Sequence, residues 1–287
     1  TKYLMSKKVP VFLSTKCEVT ESLAKELLSA GFLDKPRGPP HRLQFSIDSL
    51  KPEVADFMTN TVGFVERISR SVECCTNHGI LPKIKSVLTP YNFMEMENIV
   101  SFFSTKGVKD FQFVCYSLSN FQPNEELLLS DDMKKWIHEC YTYELVTKYP
   151  ELHIVVQDEY RQKSPTFEER VDTWHKRARC TGGYSSLTIL PTGKVVICEQ
   201  MPQEKKFIVG DIRKEGLMGV WLGEEIEKFL FPPKEAFVDT SCEKCLEYAD
   251  CHYNAGFCYR DALFAYGTVL QAPPNCPYQK KKGRSLI

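Results

Sequence analysis

Seven cysteines fall between Cys180 and Cys276, and no other feature of the 287-residue sequence restricts its fold so much. They run as Cys180, twelve residues to Gly193, four to Cys198, then Cys242-x2-Cys245-x5-Cys251-x6-Cys258, and finally Cys276. Thiolates two residues apart project both sulfurs into one turn and can share a metal centre. A cubane iron–sulfur cluster takes four such ligands, and a structural zinc takes four with the same knuckle. One zinc leaves three of the seven over, whereas three thiolates beside an open position suit a second iron–sulfur cluster. Spacing alone leaves iron–sulfur, zinc and unliganded thiols as the alternatives.

The remaining five cysteines, Cys17, Cys74, Cys75, Cys115 and Cys140, are scattered over the first 179 residues. A disulfide framework belongs to small secreted domains, and this chain is neither small nor headed by a signal-peptide pattern, so metal is preferred. No apolar run reaches the ~18 residues that cross a membrane, and the chain reads as cytoplasmic. Lys+Arg and Asp+Glu both total 37, which gives no reason to expect nucleic acid or a lipid surface as partner. The short basic tail at Lys280, Lys281, Lys282 and Arg284 reads as a solvated terminus.

Upstream of the cysteines, strand and helix patterns alternate. Val9–Thr15, Leu43–Ile47, Ile80–Leu88, Val108–Tyr116 and Leu152–Gln157 read as strands. Helices are expected from Thr20, with Leu23, Ala24, Leu27 and Leu28 on one face, and over Val62–His78, from Asn92, and over Asp131–Tyr149. Gly31, Gly79 and Gly107 stop the first three. This is an α/β pattern of successive βαβ units on a parallel sheet. Ligands of such sheets sit at the carboxyl ends of the strands. Those ends carry Ser14, Thr15, Ser46, Asp48, Thr89, Asn92, Ser117 and Ser119, all of which also suit helix capping.

After Pro165 the pattern changes. A helix over FEERVDTWHKRA, a hairpin from Ser186–Leu190 and Lys194–Cys198 around Pro-Thr-Gly, and a helix over Glu215–Phe229 are expected. From Ser241 onward there is little periodicity and many thiols, the mark of a segment folded around metal. The boundary falls near Gln162–Thr166, giving domains 1–163 and 164–287.

The stretch CTGGYSSLTILPTGKVVIC, the GDI at 210–212, CEKCLEYADC and Cys276 together resemble the SPASM auxiliary-cluster domain of radical S-adenosylmethionine peptide and protein maturases. FLSTKCEVTESLAKELLSAGF, LQFSIDS and SVLTPYN resemble the third, fourth and fifth strands of that family's barrel. The resemblance implies an incomplete radical-SAM (β/α) partial barrel followed by a small Cys-rich SPASM domain. It implies that Cys180, Cys198 and Cys258 hold a first auxiliary 4Fe–4S cluster and Cys242, Cys245, Cys251 and Cys276 a second. The family places three residues, not six, before the last clustered cysteine, and that nearer position is Ala255 here. Relatives with an extra cysteine before Cys180 have no counterpart here, which leaves the first cluster an open iron, His175 or substrate as its fourth ligand; an exposed helix histidine is the plainer account of His175.

The family's Cys-x3-Cys-x2-Cys, which binds the S-adenosylmethionine-cleaving third cluster, is not in these 287 residues, nor is its Gly-Gly-Glu-Pro. The expectation is that the first two βα units are cut off and that the fragment alone is inactive and, with an open sheet edge, unstable or aggregating. By the resemblance, Ser46, Asp48 and Asn92 contact S-adenosylmethionine, and Glu199, next to a cluster ligand, acts as a base on the oxidised peptide, against the plainer reading of a solvated glutamate. The implied partners are a ribosomally made peptide or protein substrate and an electron donor such as flavodoxin or ferredoxin. The alternatives are a non-catalytic iron–sulfur electron-transfer or scaffold module, and a zinc-binding interaction domain.

Overall fold

The structure, a computed structural model, describes residues 1–118, 123–157, 160, 165–256 and 258–280. Ser119, the expected boundary at 162–164 and the basic tail from Lys281 lie outside them. The chain divides into two compact units: Thr1–Tyr116 with Glu125–Gln162, and Ser117–Asn124 with Lys163–Ile287.

The first unit opens with α1 (Lys2–Ser6) and holds β1 (Phe12–Thr15), α2 (Glu21–Ser29), β2 (Arg42–Ser46), α3 (Pro52–Thr59), α4 (Phe64–Asn77) and β3 (Lys83–Leu88). Then come α5 (Met96–Ser104), β4 (Asp110–Cys115), α6 (Asp131–Glu139), a π-helical turn over Cys140–Leu145, α7 (Val146–Lys148) and β5 (His153–Gln157). The strands form one parallel sheet in the order β1-β2-β3-β4-β5. A parallel sheet covered on both faces has near-continuous apolar strands. Here β3 and β4 alternate half-buried and buried residues along their length. One face carries Phe45, Ile84 and Phe111 in a row, all in the core, with Ile154 packed alongside. The other presents the rows Ser46, Lys85, Gln112, Val155 and Gln44, Lys83, Asp110, His153. A sheet with an apolar face and a polar face is what the wall of a partial barrel requires.

The α/β expectation is met in all five strands. Thr20 caps α2 by accepting from the Leu23 amide at 3.4 Å, but α2 buries Ala24 and Leu27 and leaves Leu23 exposed. Gly31, Gly79 and Gly107 all have left-handed backbone where helices were expected to end. The expected Asp131–Tyr149 helix is interrupted by the π-helical turn, and α1 and α3 had no sequence signal strong enough to read.

The second unit contains α8 (Phe167–His175), β6 (Thr188–Ile189), β7 (Lys194–Val196), β8 (Gly210–Asp211), α9 (Ile212–Trp221), α10 (Glu224–Leu230) and α11 (Tyr259–Tyr266). The hairpin forms as expected, and β8 adds a third antiparallel strand to β7. The single helix expected over Glu215–Phe229 is two, because Gly216 leaves helical geometry inside α9 and Gly223 caps α10. This unit has its own core, including Val195, Ile197, Phe207, Val220, Phe237 and Ala262.

Candidate metal centre and the carboxyl ends of the sheet

Four of the seven cysteines come together. Cys242, Cys245, Cys251 and Cys276 line one cavity with Trp174, Tyr248 and His252. Each is presented by a tight local bond. The Cys245 amide donates to the Cys242 carbonyl at 3.2 Å, closing the two-residue knuckle. The Cys251 amide donates to Glu247 O at 2.9 Å, and the Cys276 amide to Pro273 O at 3.0 Å.

These thiols are hard to ionise as they stand. Burial pushes Cys242 up to about 12, and the neighbouring Cys276, Cys251 and Cys245 push the same way. Burial pushes Cys251 up to about 11 and also raises Cys276. Four crowded thiolates exist together only against a cationic centre, so the donor set fits a thiolate-bound metal. Among the described residues, the one group of three or more metal-donor atoms within 4.8 Å of one another is Glu21, Cys74 and His78. No three sulfurs of the cavity are therefore that close. Zinc–sulfur bonds of ~2.3 Å in a tetrahedron would draw its sulfurs to about 3.8 Å. A cubane takes the same number of thiolates, four. The Glu21 group is more exposed and already committed, since its carboxylate pairs with Lys25 at 3.0 Å and His78 at 3.3 Å.

The other three cysteines are less closely gathered. Cys180 and Cys198 both flank Gly182, where an added Cβ would lie 3.7 Å from Cys180 Sγ and 3.7 Å from Cys198 Cβ. The Cys180 amide donates to Ala255 O at 3.3 Å. The backbone at 255, where the family carries its cysteine, thus sits beside Cys180. Cys258 lies just beyond, as N-cap of α11, and interacts with Asp261 and Arg260; burial pushes its thiol up to about 12. The segment leading to it, Asp250–Ala255, is a π-helical turn, a form that accommodates extra residues in a helix.

Arg177 is a residue that sequence reasoning passed over. Its Nη2 donates to Cys251 Sγ at 3.2 Å and to Gly256 O at 3.0 Å, its Nη1 to Trp174 O at 2.5 Å. The guanidinium stacks 3.7 Å from the centre of the Trp174 ring. Only the position, two residues past the end of α8 and three before Cys180, could have signalled it. His175 is exposed and pairs with Glu247 at 3.5 Å. Glu199, next to Cys198, is exposed.

The carboxyl ends of β2 and β3 carry the other expected residues. Ser46 ends β2 on the polar face, beside Lys85 in register. Asp48 is buried; its Oδ1 accepts from the Val87 amide at 2.8 Å, and Lys16 lies 3.7 Å from Oδ2. Burial raises its carboxyl above the ordinary range despite those partners. Asn92 does not cap a helix. Its Nδ2 donates to Asp48 O at 2.5 Å and Val87 O at 2.8 Å, and its Oδ1 accepts from the Thr89 amide at 2.7 Å and hydroxyl at 3.0 Å. That uses the whole amide, so Asn92 braces the strand ends. Beside it, Glu95, 3% exposed, accepts from Ser49 Oγ at 2.7 Å and the Leu50 amide at 3.0 Å. Neither Ser49 nor Glu95 stood out in the sequence, because nothing in a helical stretch marks a glutamate that turns inward.

Residues 180–251 match the SPASM iron–sulfur cluster-binding domain family, a segment that starts and ends on expected ligands and stops short of Cys258 and Cys276. No curated protein sequence matches the chain. Among solved structures, Streptococcus suis SuiB bound to S-adenosylmethionine is similar over 94% of this chain and 60% of its own, at 14% identity and TM-score 0.64. SuiB bound to precursor peptide SuiA covers 94% and 59%, at 14% identity and TM-score 0.63. Native anSMEcpe with bound AdoMet covers 94% and 70%, at 18% identity and TM-score 0.57. The chain thus spans about 60% of the length of SuiB. Residues 180–251 thus match the SPASM iron–sulfur cluster-binding family, and the chain as a whole has the fold of a radical S-adenosylmethionine partial barrel joined to a SPASM domain.

Proposed function

We propose that this chain provides the sheet and auxiliary-cluster regions of a radical S-adenosylmethionine maturase that modifies a peptide or protein by hydrogen abstraction. The observation that carries the reading is the cavity lined by Cys242, Cys245, Cys251 and Cys276 in a SPASM-type segment. These four hold one auxiliary 4Fe–4S cluster. Cys180 and Cys198, with Cys258, hold the other; both sites lie in the domain 164–287 that follows the sheet domain 1–163. The clusters supply one-electron acceptor chemistry when bound. The polar face of the sheet, with Ser46 at its carboxyl end, is the S-adenosylmethionine side, while Asp48 and Asn92 shape that end from beneath. The peptide substrate is supported by the likeness to SuiB, which is bound to precursor peptide SuiA in one of its structures. The cysteine triplet that cleaves S-adenosylmethionine in that family is not among these 287 residues, and no radical step is assigned to them. A flavodoxin or ferredoxin in the cytoplasm is the proposed electron source.

Among the described residues no helix is long and apolar enough to cross a membrane. The test is anaerobic reconstitution with iron and sulfide. A brown protein with about eight irons per chain, falling to about four in Cys276→Ser, supports two cubanes. A colourless protein holding one or two zincs refutes the cluster reading and favours a zinc interaction domain.

A further inference from the structure

The four-cysteine cavity has a cation built against its rim. Arg177 reaches Cys251 Sγ with one N–H of its fork at 3.2 Å. Its position is over-determined. Nη1 is tied to Trp174 O, Nε and Nη2 to Gly256 O at 3.3 and 3.0 Å, and the guanidinium plane lies on the Trp174 ring. Trp174 is itself buried and lines the same cavity. A flexible surface arginine pays side-chain entropy to hold any one contact. Here three backbone bonds and a stack fix the guanidinium before the sulfur contact is counted, so the N–H···S bond is preorganised. The Gly256 carbonyl that anchors it belongs to the segment packed on Cys180, since a Cβ on Gly256 would lie 3.5 Å from Cys180 Cβ.

A hydrogen bond to a ligating sulfur, and a positive charge beside it, stabilise the more negative oxidation state of an iron–sulfur cluster. On that basis, and resting on the cluster reading above, we propose that Arg177 is a positioning residue that sets the reduction potential of the cluster held by Cys242, Cys245, Cys251 and Cys276, holding it higher than the cysteines alone would. Reduction adds one electron from a low-potential donor to the cluster, and the added negative charge spreads onto the cysteine sulfurs.

The experiment is an EPR-monitored redox titration of the full chain, reconstituted anaerobically and reduced with dithionite, beside Arg177→Met and Arg177→Lys. The signal of interest is the one that disappears in Cys276→Ser. Arg177→Met is expected to retain iron and shift that midpoint to a more negative potential, with Arg177→Lys in between because it keeps the charge and loses the fork. The signal dependent on Cys180 and Cys198 is expected to shift less. Unchanged midpoints in iron-replete variants overturn the inference. Loss of iron from both variants also overturns it, since Arg177 then holds the site together instead of tuning it. A wild-type chain that takes up no iron removes the cluster reading itself, and the inference with it.

Discussion

Asn92→Ala separates a brace from a ligand contact. Asn92 is 2% exposed and makes four hydrogen bonds, three of them to backbone groups, at the carboxyl ends of β2 and β3. A hydrogen bond contributes about 0.5–1.5 kcal/mol net, and four sum to roughly 4 kcal/mol. Burial keeps water from replacing them, so the Asp48 and Val87 carbonyls lose their partner outright. The assay is native-state hydrogen exchange on the amides of β3, which reads the local opening free energy. Roughly 4 kcal/mol corresponds to exchange about 10³-fold faster, at about 1.4 kcal/mol per tenfold. Asn92→Asp is expected to behave similarly at neutral pH, because it keeps the acceptor facing Thr89 but points a second oxygen at two carbonyls. Exchange within tenfold of wild type, together with weakened S-adenosylmethionine binding in the whole protein, would refute the brace and make Asn92 a direct contact.

Three further outcomes are expected. Asp48 has a raised folded pKa, so its carboxyl's contribution to stability is fully present below the unfolded value near 3.8 and is lost as pH rises through the folded value. Asp48→Asn should therefore gain stability relative to wild type as pH increases from about 4 to 7, read from urea midpoints at each pH; a flat or falling difference rejects this. Gly183→Ala places a Cβ 2.8 Å from Leu230 Cδ2 at a φ of +77°, and should cost the second unit about 2–4 kcal/mol by chemical denaturation. Cys258→Ser should leave the four-cysteine site's iron in place while Cys276→Ser removes it, because Cys258 faces Asp261 and Arg260. Equal loss in both variants would show one shared site.

How much of this was legible beforehand depended on which interaction made each feature. The five strands were readable because β-branched and aromatic residues alternate over a few positions, and Thr20 marked a helix start through its own side chain, whereas the capping box at Thr166 carried no reading in the sequence. The two-residue knuckle Cys242–Cys245 was readable because its geometry is local. Leu23, expected on the buried face of α2, is exposed because an apolar residue at the edge of a helical stripe is buried only if something packs there. The break in the helix expected over Glu215–Phe229 has no sequence signature, because Gly216 permits a break without requiring one.

The sequence by itself determined an α/β unit followed by a cysteine-rich segment that matches the SPASM family, while the spacing alone left iron–sulfur, zinc and free thiols open. Which thiols share a cavity was a different matter. Cys276 joins Cys242, Cys245 and Cys251 across an intervening helix, whereas Cys258, nearer in sequence, turns toward Asp261. Only the tertiary structure could decide that, as it decided that Arg177 reaches Cys251 and that Asn92 is spent on backbone. A sequence records which groups are available, while distances between residues dozens of positions apart follow from how the intervening elements pack.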